Sequence, residues 1–188
     1  MIAGGVDLIQ LRGKAQTREQ LTEIAAKLHT ITSRAEIPLI INDCALVAQS
    51  VLLEGVHVGQ DDDPVAVARK KAGRVLLVGK STHSFEQALA AQREGADYIG
   101  FGPIFATPTK PDYQAIGLKE INRVHAAVTL PIFCIGGIKL ENLEQVLAAG
   151  ARRVAIVSGL LKAPDIAEYA RMAKRLLAST FDIRHSTF

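Results

Sequence analysis

Several apolar runs in this chain end in residues able to hold ions. Asn42-Asp43 closes one run, and Gln60-Asp61-Asp62-Asp63 closes the next. If those runs are neighbouring strands, Asp43 and Asp62 come within reach of one cation. Mg²⁺ typically takes one or two carboxylates and completes its shell with water and phosphate oxygens. Asp63 stands just before Pro64, where a helix N-terminus favours acidic residues, so it reads as a cap, and Asp61 as a solvated surface residue. Gln10, Arg12 and Lys14 alternate with Leu11 and Gly13, so strand geometry puts them on one face of a strand and its exit. There an Arg fork and a Lys point charge can grip a polyanion.

Other runs end in backbone suited to phosphate. Cys134-Ile135 leads into Gly136-Gly137, and Val157 into Ser158-Gly159. Glycines let main-chain N–H groups approach an anion closely, and helix N-termini attract it. Residues 100–112 form a Gly- and Pro-rich loop after a strand, in which Thr107, Thr109 and Lys110 are donors matched to phosphate oxygens. Long ordered loops of this kind are usually functional. In Ser81-Thr82-His83-Ser84, Ser81 can donate to an anion and Ser84 reads as an N-cap. His83 is an acid–base candidate whose commoner role is structural. His57, inside an apolar run, reads as a core histidine with a satisfied hydrogen bond. No Ser-His-Asp arrangement is evident.

These residues need a scaffold that brings strand ends together. Runs rich in Val, Ile and Leu occur at Asp7–Leu11, Pro38–Ile41, Gly55–Val58, Val75–Val78, Asp97–Gly100, Leu130–Ile135 and Arg153–Val157. Near-continuous hydrophobicity is expected of parallel strands covered on both faces. Amphipathic segments lie between them at Thr17–Arg34, Asp63–Ala72, Ser84–Glu94, Leu118–Ala127, Leu140–Ala149 and Pro164–Leu177. Thr17 with Gln20 and Ser84 with Gln87 resemble capping boxes. A weak repeat places Gly5, Gly55, Gly95 and Gly150 before strands, where each is expected to end a helix. Repeated βα units can build a closed barrel or an open doubly wound sheet. Polar residues at the C-terminal end of nearly every strand favour the barrel, whose sites lie there. The fold predicted is therefore α/β, a (β/α)8 TIM-type barrel with seven visible strands, lacking its first βα unit. No composition break marks a linker, so residues 1–188 read as a single domain.

Bulk properties narrow the function. A net charge of +3, with basic residues scattered, leaves no nucleic-acid footprint. No apolar stretch approaches the ~20 residues of a membrane span, and no signal-peptide pattern opens the chain. Cys44 and Cys134 are isolated in apolar runs, which fits buried thiols in a reducing compartment, the cytoplasm. The expected partners are small phosphorylated molecules; oligomeric state is not set by these features.

Taken in order, Gln10-Leu11-Arg12, Ile41-Asn42-Asp43, Val56-His57-Val58-Gly59-Gln60, Ser81-Thr82-His83-Ser84, the stretch from Gly102 to Lys110, and Ile135-Gly136-Gly137-Ile138 resemble thiamine phosphate synthase. The similarity runs from about Gly4 to Leu177. It implies that hydroxymethylpyrimidine pyrophosphate is joined to hydroxyethylthiazole phosphate, with release of pyrophosphate by a dissociative, Mg²⁺-assisted route. It also implies that Asp43 and Asp62 hold Mg²⁺, and that Arg12, Lys14, Asn42, Ser81 and Lys110 contact the pyrophosphate. Gln10 would face the pyrimidine, and Thr107, Thr109, Gly137, Val157 and Ser158 would cradle the thiazole phosphate. No protein nucleophile is needed, only stabilisation of the leaving charge and tight positioning. Gly13 departs from the family, which carries Glu between the Arg and the Lys. Two other readings share parts of the pattern. A thiazole tautomerase of the sister family would use the histidine at His83, and a non-catalytic phosphate-ligand sensor would keep Gly136-Gly137 without the acidic pair.

Overall fold

A computed structural model describes residues 1–73, 76–107 and 114–185. Seven strands form one sheet: β1 (Ile9–Leu11), β2 (Leu39–Asn42), β3 (Gly55–Val58), β4 (Leu77–Thr82), β5 (Tyr98–Phe101), β6 (Ile132–Ile135) and β7 (Val154–Ala155). Every neighbouring pair is parallel, and spatial order follows sequence order. The sheet curls as in a TIM-type barrel, with no ladder between β1 and β7 among the described residues. All seven expected strands are present; the segment expected from Val75 lies partly outside the described residues and its strand runs on to Thr82.

The helices are α1 (Arg18–Arg34), α2 (Ala45–Val51), α3 (Val65–Ala72), α4 (Phe85–Arg93), α5 (Glu120–Ala127), α6 (Leu140–Ala148), α7 (Ser158–Leu161) and α8 (Ile166–His185). Short α2 and α7 were not predicted, because seven and four residues give periodicity too little length to register. Thr17 and Gln20 form the expected capping box, and the Ser84 hydroxyl accepts from the Gln87 N–H at 3.2 Å. Asp63 is not a cap: Pro64 holds that position, and Asp63 pairs with Lys71 at 2.7 Å. Gly55 is not a helix end either. Leu52 terminates α2 in the left-handed region at φ 63°, and Gly55 opens β3, where a Cβ would lie 2.5 Å from the Leu77 carbonyl oxygen.

Two layers of apolar contact result. Outward residues such as Ile41, Val56, Val78, Ile99 and Cys134 pack against inward residues of the helices, among them Ala25, Val47, Ala68, Ala88, Val124 and Val146. Ile40 and Tyr98 are buried but stand apart from that cluster, on the concave face of the sheet. At the opposite end from the site, acidic residues brace the strand starts. Glu54 accepts the Leu39 N–H at 2.8 Å and meets His29 at 3.0 Å; Asp97 accepts the Val78 N–H at 2.7 Å and Arg69 at 2.8 Å. Removing the Asp97 carboxylate strands the Val78 main-chain donor and takes the ion pair from Arg69, which keeps the Leu76 and Gly95 carbonyls. Asp97→Ala is expected to lower unfolding free energy in urea by about 2–3 kcal/mol, and Asp97→Asn, which keeps an acceptor, by less. Equal losses for the two variants would show that the acceptor is not the cause.

Burial pushes the Cys134 thiol up to about 12. The thiolate is the nucleophile, so at pH 8 Cys134 is expected to resist a disulfide reagent until denaturant is added, with no more than one thiol titrating in the native protein. Fast reaction of both native cysteines would contradict this packing. A further long-range anchor is the 3₁₀ turn Ile2–Gly4. Gly4 lies so close to α8 that a Cβ would fall 2.4 Å from the Ala167 oxygen, and Arg171 donates to the Ala3 carbonyl at 3.1 Å.

Candidate active site at the open ends of the strands

The predicted polar residues converge at the C-terminal ends of the strands, in two groups. The first gathers around β1 to β3. Gln10 pairs in register with Ile40, so it shares the concave face with Ile40 and, two residues on, Asn42. Asp43 follows Asn42 in the left-handed region at φ 64°, held there as its N–H donates to the His57 carbonyl at 2.8 Å. That turn leads the chain from β2 into α2 and aims the carboxylate back over the strand ends. The Lys14 ammonium forms an ion pair with Asp43, and Asp62 makes side-chain contact with it from the loop after β3. Asp62 is itself fixed by the Gly59 N–H at 2.8 Å. Burial raises the Asp43 carboxyl above its ordinary range; hydrogen bonding from Lys14 opposes the rise and the Asp62 contact adds to it. Two carboxylates forced together in this way, with one cation opposite, are the electrostatic signature of a site for added positive charge.

Among the described residues no group of three or more His, Cys, Asp or Glu could hold a metal. A cation at Asp43 and Asp62 would therefore take two protein carboxylates and draw its other oxygens from water and ligand. That donor set suits Mg²⁺, which retains waters readily and binds substrate phosphates, and does not suit a closed tetrahedral zinc site. Arg12 is exposed and forms no ion pair with another described residue, which leaves its guanidinium open to an anion. At Gly13, a Cβ would fall 2.5 Å from the Gln16 side-chain oxygen, so the space above the backbone is filled by Gln16.

The second group surrounds a cavity of ≈ 420 Å³ lined by Ala106, Gly137, Asn142, Ser158 and Tyr169, with Lys139 and Lys162 among its cations. Gly136 and Gly137 both need positive φ, 98° and 65°, and both sit against the loop after β5. Main-chain bonds from Ile104 to Ile135 (2.8 Å) and from Phe105 to Gly136 (3.0 Å) tie that loop down. Val157, at the start of α7, is exposed, and Thr107 is half-buried at the loop's far side. Thr109 and Lys110 lie outside the described residues. Lys139 and Lys162 were not foreseen: each is a lone lysine in sequence, and only the fold brings them to one wall.

Ser81 stands between the groups on β4. Its hydroxyl meets His57 Nε2 at 2.9 Å, its carbonyl accepts from Gln60, and His57 Nδ1 meets the Tyr98 hydroxyl at 3.1 Å. The core reading of His57 holds, with both ring nitrogens engaged. His83 is engaged too, through Nδ1 at the Gly102 carbonyl, and its main-chain N–H donates to the Gln87 side-chain oxygen at 2.7 Å.

Comparison with known proteins follows the same outline. The thiamine monophosphate synthase family profile matches residues 1–160. A thiamine-phosphate synthase of Chloroflexus aurantiacus is 47% identical over 180 residues, covering 95% of this chain and 83% of that protein. One from Halalkalibacterium halodurans is 46% identical over 166 residues, covering 88% and 79%. Among solved structures, a thiamine phosphate pyrophosphorylase from Pyrococcus furiosus superposes with a TM-score of 0.88 at 31% identity, covering 95% of this chain and 86% of that one.

Proposed function

The chain belongs to the thiamine monophosphate synthase family, and from that premise we propose that it makes thiamine phosphate from hydroxymethylpyrimidine pyrophosphate and hydroxyethylthiazole phosphate, releasing pyrophosphate. The observation that carries the residue assignment is the meeting of Lys14, Asp43 and Asp62 beyond the ends of β1, β2 and β3, separate from a cavity lined by Gly137 and Ser158. Two anionic substrates need two such grips.

The pyrophosphate end would lie over β1 to β4, gripped by Arg12, Lys14 and the Ser81 hydroxyl, with Asn42 beside Asp43 and Lys110 supplied by the loop after β5. Mg²⁺ held by Asp43 and Asp62 would supply further neutralisation of the leaving charge. Gln10, on the concave face, would orient the pyrimidine ring. The thiazole phosphate would sit on the main chain of Gly137, Val157 and Ser158, with Thr107 and Thr109 donating from the facing loop. In the reaction the carbon–oxygen bond to pyrophosphate breaks first, its electron pair leaving on oxygen. The thiazole nitrogen lone pair then forms the new carbon–nitrogen bond. The protein's part is to hold the two substrates in line and stabilise departing charge, work done by fixed cations and donors.

No helix among the described residues is long and apolar enough to cross a membrane. With both cysteines free, the cytoplasm, where thiols stay reduced and phosphorylated intermediates circulate, is the proposed setting. The test is to mix both substrates with the protein and Mg²⁺ and follow thiamine phosphate and pyrophosphate together. Equimolar appearance of the two is expected. Interconversion of thiazole tautomers without coupling, or thiazole phosphate binding without turnover, would overturn the proposal.

A further inference from the structure

Behind Ser81 lies a pair of rings that the coupling chemistry alone does not call for. Tyr98 on β5 and His57 on β3 are each 8% exposed, and with Ser81 on β4 they form one chain of hydrogen bonds across three adjacent strands. Room for it is built in. A Cβ at Gly79 would fall 2.1 Å from the Tyr98 ring and 2.5 Å from His57 Nδ1. Phe133 braces the phenol edge-on at 5.5 Å between centroids.

We propose that Tyr98 and His57 are positioning residues that fix the direction of the Ser81 hydroxyl hydrogen toward the pyrophosphate; the inference rests on the reading that Ser81 contacts that group. Two arrangements of hydrogens fit the heavy atoms. In one, the Tyr98 O–H donates to His57 Nδ1, His57 Nε2–H donates to the Ser81 oxygen, and the Ser81 hydrogen points to the mouth of the site. In the other every arrow reverses, so Ser81 spends its hydrogen on His57 and the phenol hydrogen is left buried. Tyr98 has no second hydrogen-bond partner among the described residues, and a buried donor without an acceptor is costly. Burial also keeps the phenol protonated, raising it above its ordinary range. The first arrangement follows, with the imidazole tautomer set by the bond its far nitrogen makes. The contact of Gln60 with the Ser81 carbonyl holds the strand end on which the hydroxyl rides.

Long-range ¹⁵N–¹H spectra of the wild-type protein read the tautomer directly and need no turnover. His57 protonated at Nε2 is expected, shifting toward Nδ1 in Tyr98→Phe, which removes one oxygen and leaves the ring. In the coupling assay Tyr98→Phe should lower kcat roughly 10- to 100-fold, with KM for the thiazole phosphate within ~2-fold. Adding Ser81→Ala to Tyr98→Phe should cost little beyond Ser81→Ala alone, because both act through one hydrogen. Nδ1 protonation of His57 in the wild type, or fully additive losses in the double variant, would overturn the relay. If the wild-type protein forms no thiamine phosphate, the proposed activity fails, and the spectrum still decides the hydrogen-bond direction.

Discussion

Asp43→Asn is expected to lower kcat for coupling by roughly 10³-fold or more, while thiazole phosphate binds within ~2-fold of its wild-type affinity. Asparagine is the informative replacement because residue 43 sits at φ 64°. Asn tolerates the left-handed region, so the turn into α2 survives and only the charge is lost, whereas alanine would add backbone strain. Without that charge Lys14 loses its partner and Asp62 keeps a single carboxylate. The cavity at Gly137 and Ser158 is lined by none of these residues. Isothermal titration with thiazole phosphate, alongside steady-state kinetics, separates the two effects. A parallel collapse of affinity and turnover would mean that the two grips are one site.

Gly136→Ala should cost about 3–5 kcal/mol and roughly 10 °C in melting temperature. Two penalties combine there. The φ of 98° excludes a side chain, and the added Cβ would lie 2.4 Å from the Pro103 Cβ and 2.5 Å from its Cα. Relief requires the loop after β5 to move, which breaks the bonds of Ile104 and Phe105 to the end of β6. Thiazole phosphate KM should rise at least ~10-fold as that wall shifts. Gly95→Ala is the control: its φ of 81° carries similar strain, but nothing lies within 4 Å of the new methyl. A cost there of about 1 kcal/mol is expected. If calorimetry gave the two variants the same loss, the close approach to Pro103 would not be what Gly136 protects.

The strands and long helices were legible because each carries a signal of its own length. Buried parallel strands read as unbroken runs, and helices of eight residues or more show their period. Asp43 was legible because a carboxylate ending an apolar run has no bland explanation. What escaped notice was whatever depends on space. Gly55 and Gly79 look alike in sequence, yet one opens a strand against a carbonyl and the other makes room for the rings of His57 and Tyr98. Asp63 had the composition of a cap but pairs instead with Lys71, eight residues on near the end of α3. Lys139 and Lys162 gain meaning only when β6 and β7 lie side by side.

The seat of the first turn has a consequence for the order in which the molecule assembles. Each strand pairs with the one made just before it, so as the chain leaves the ribosome the sheet can grow one ladder at a time. Gly4 and Ala3 are the exception. Their docking ground on α8 is 168 residues away along the chain, counted from Ala3 to Arg171. This turn is thus seated only after α8 has been made, when the ladder between β1 and β2 has long been able to form.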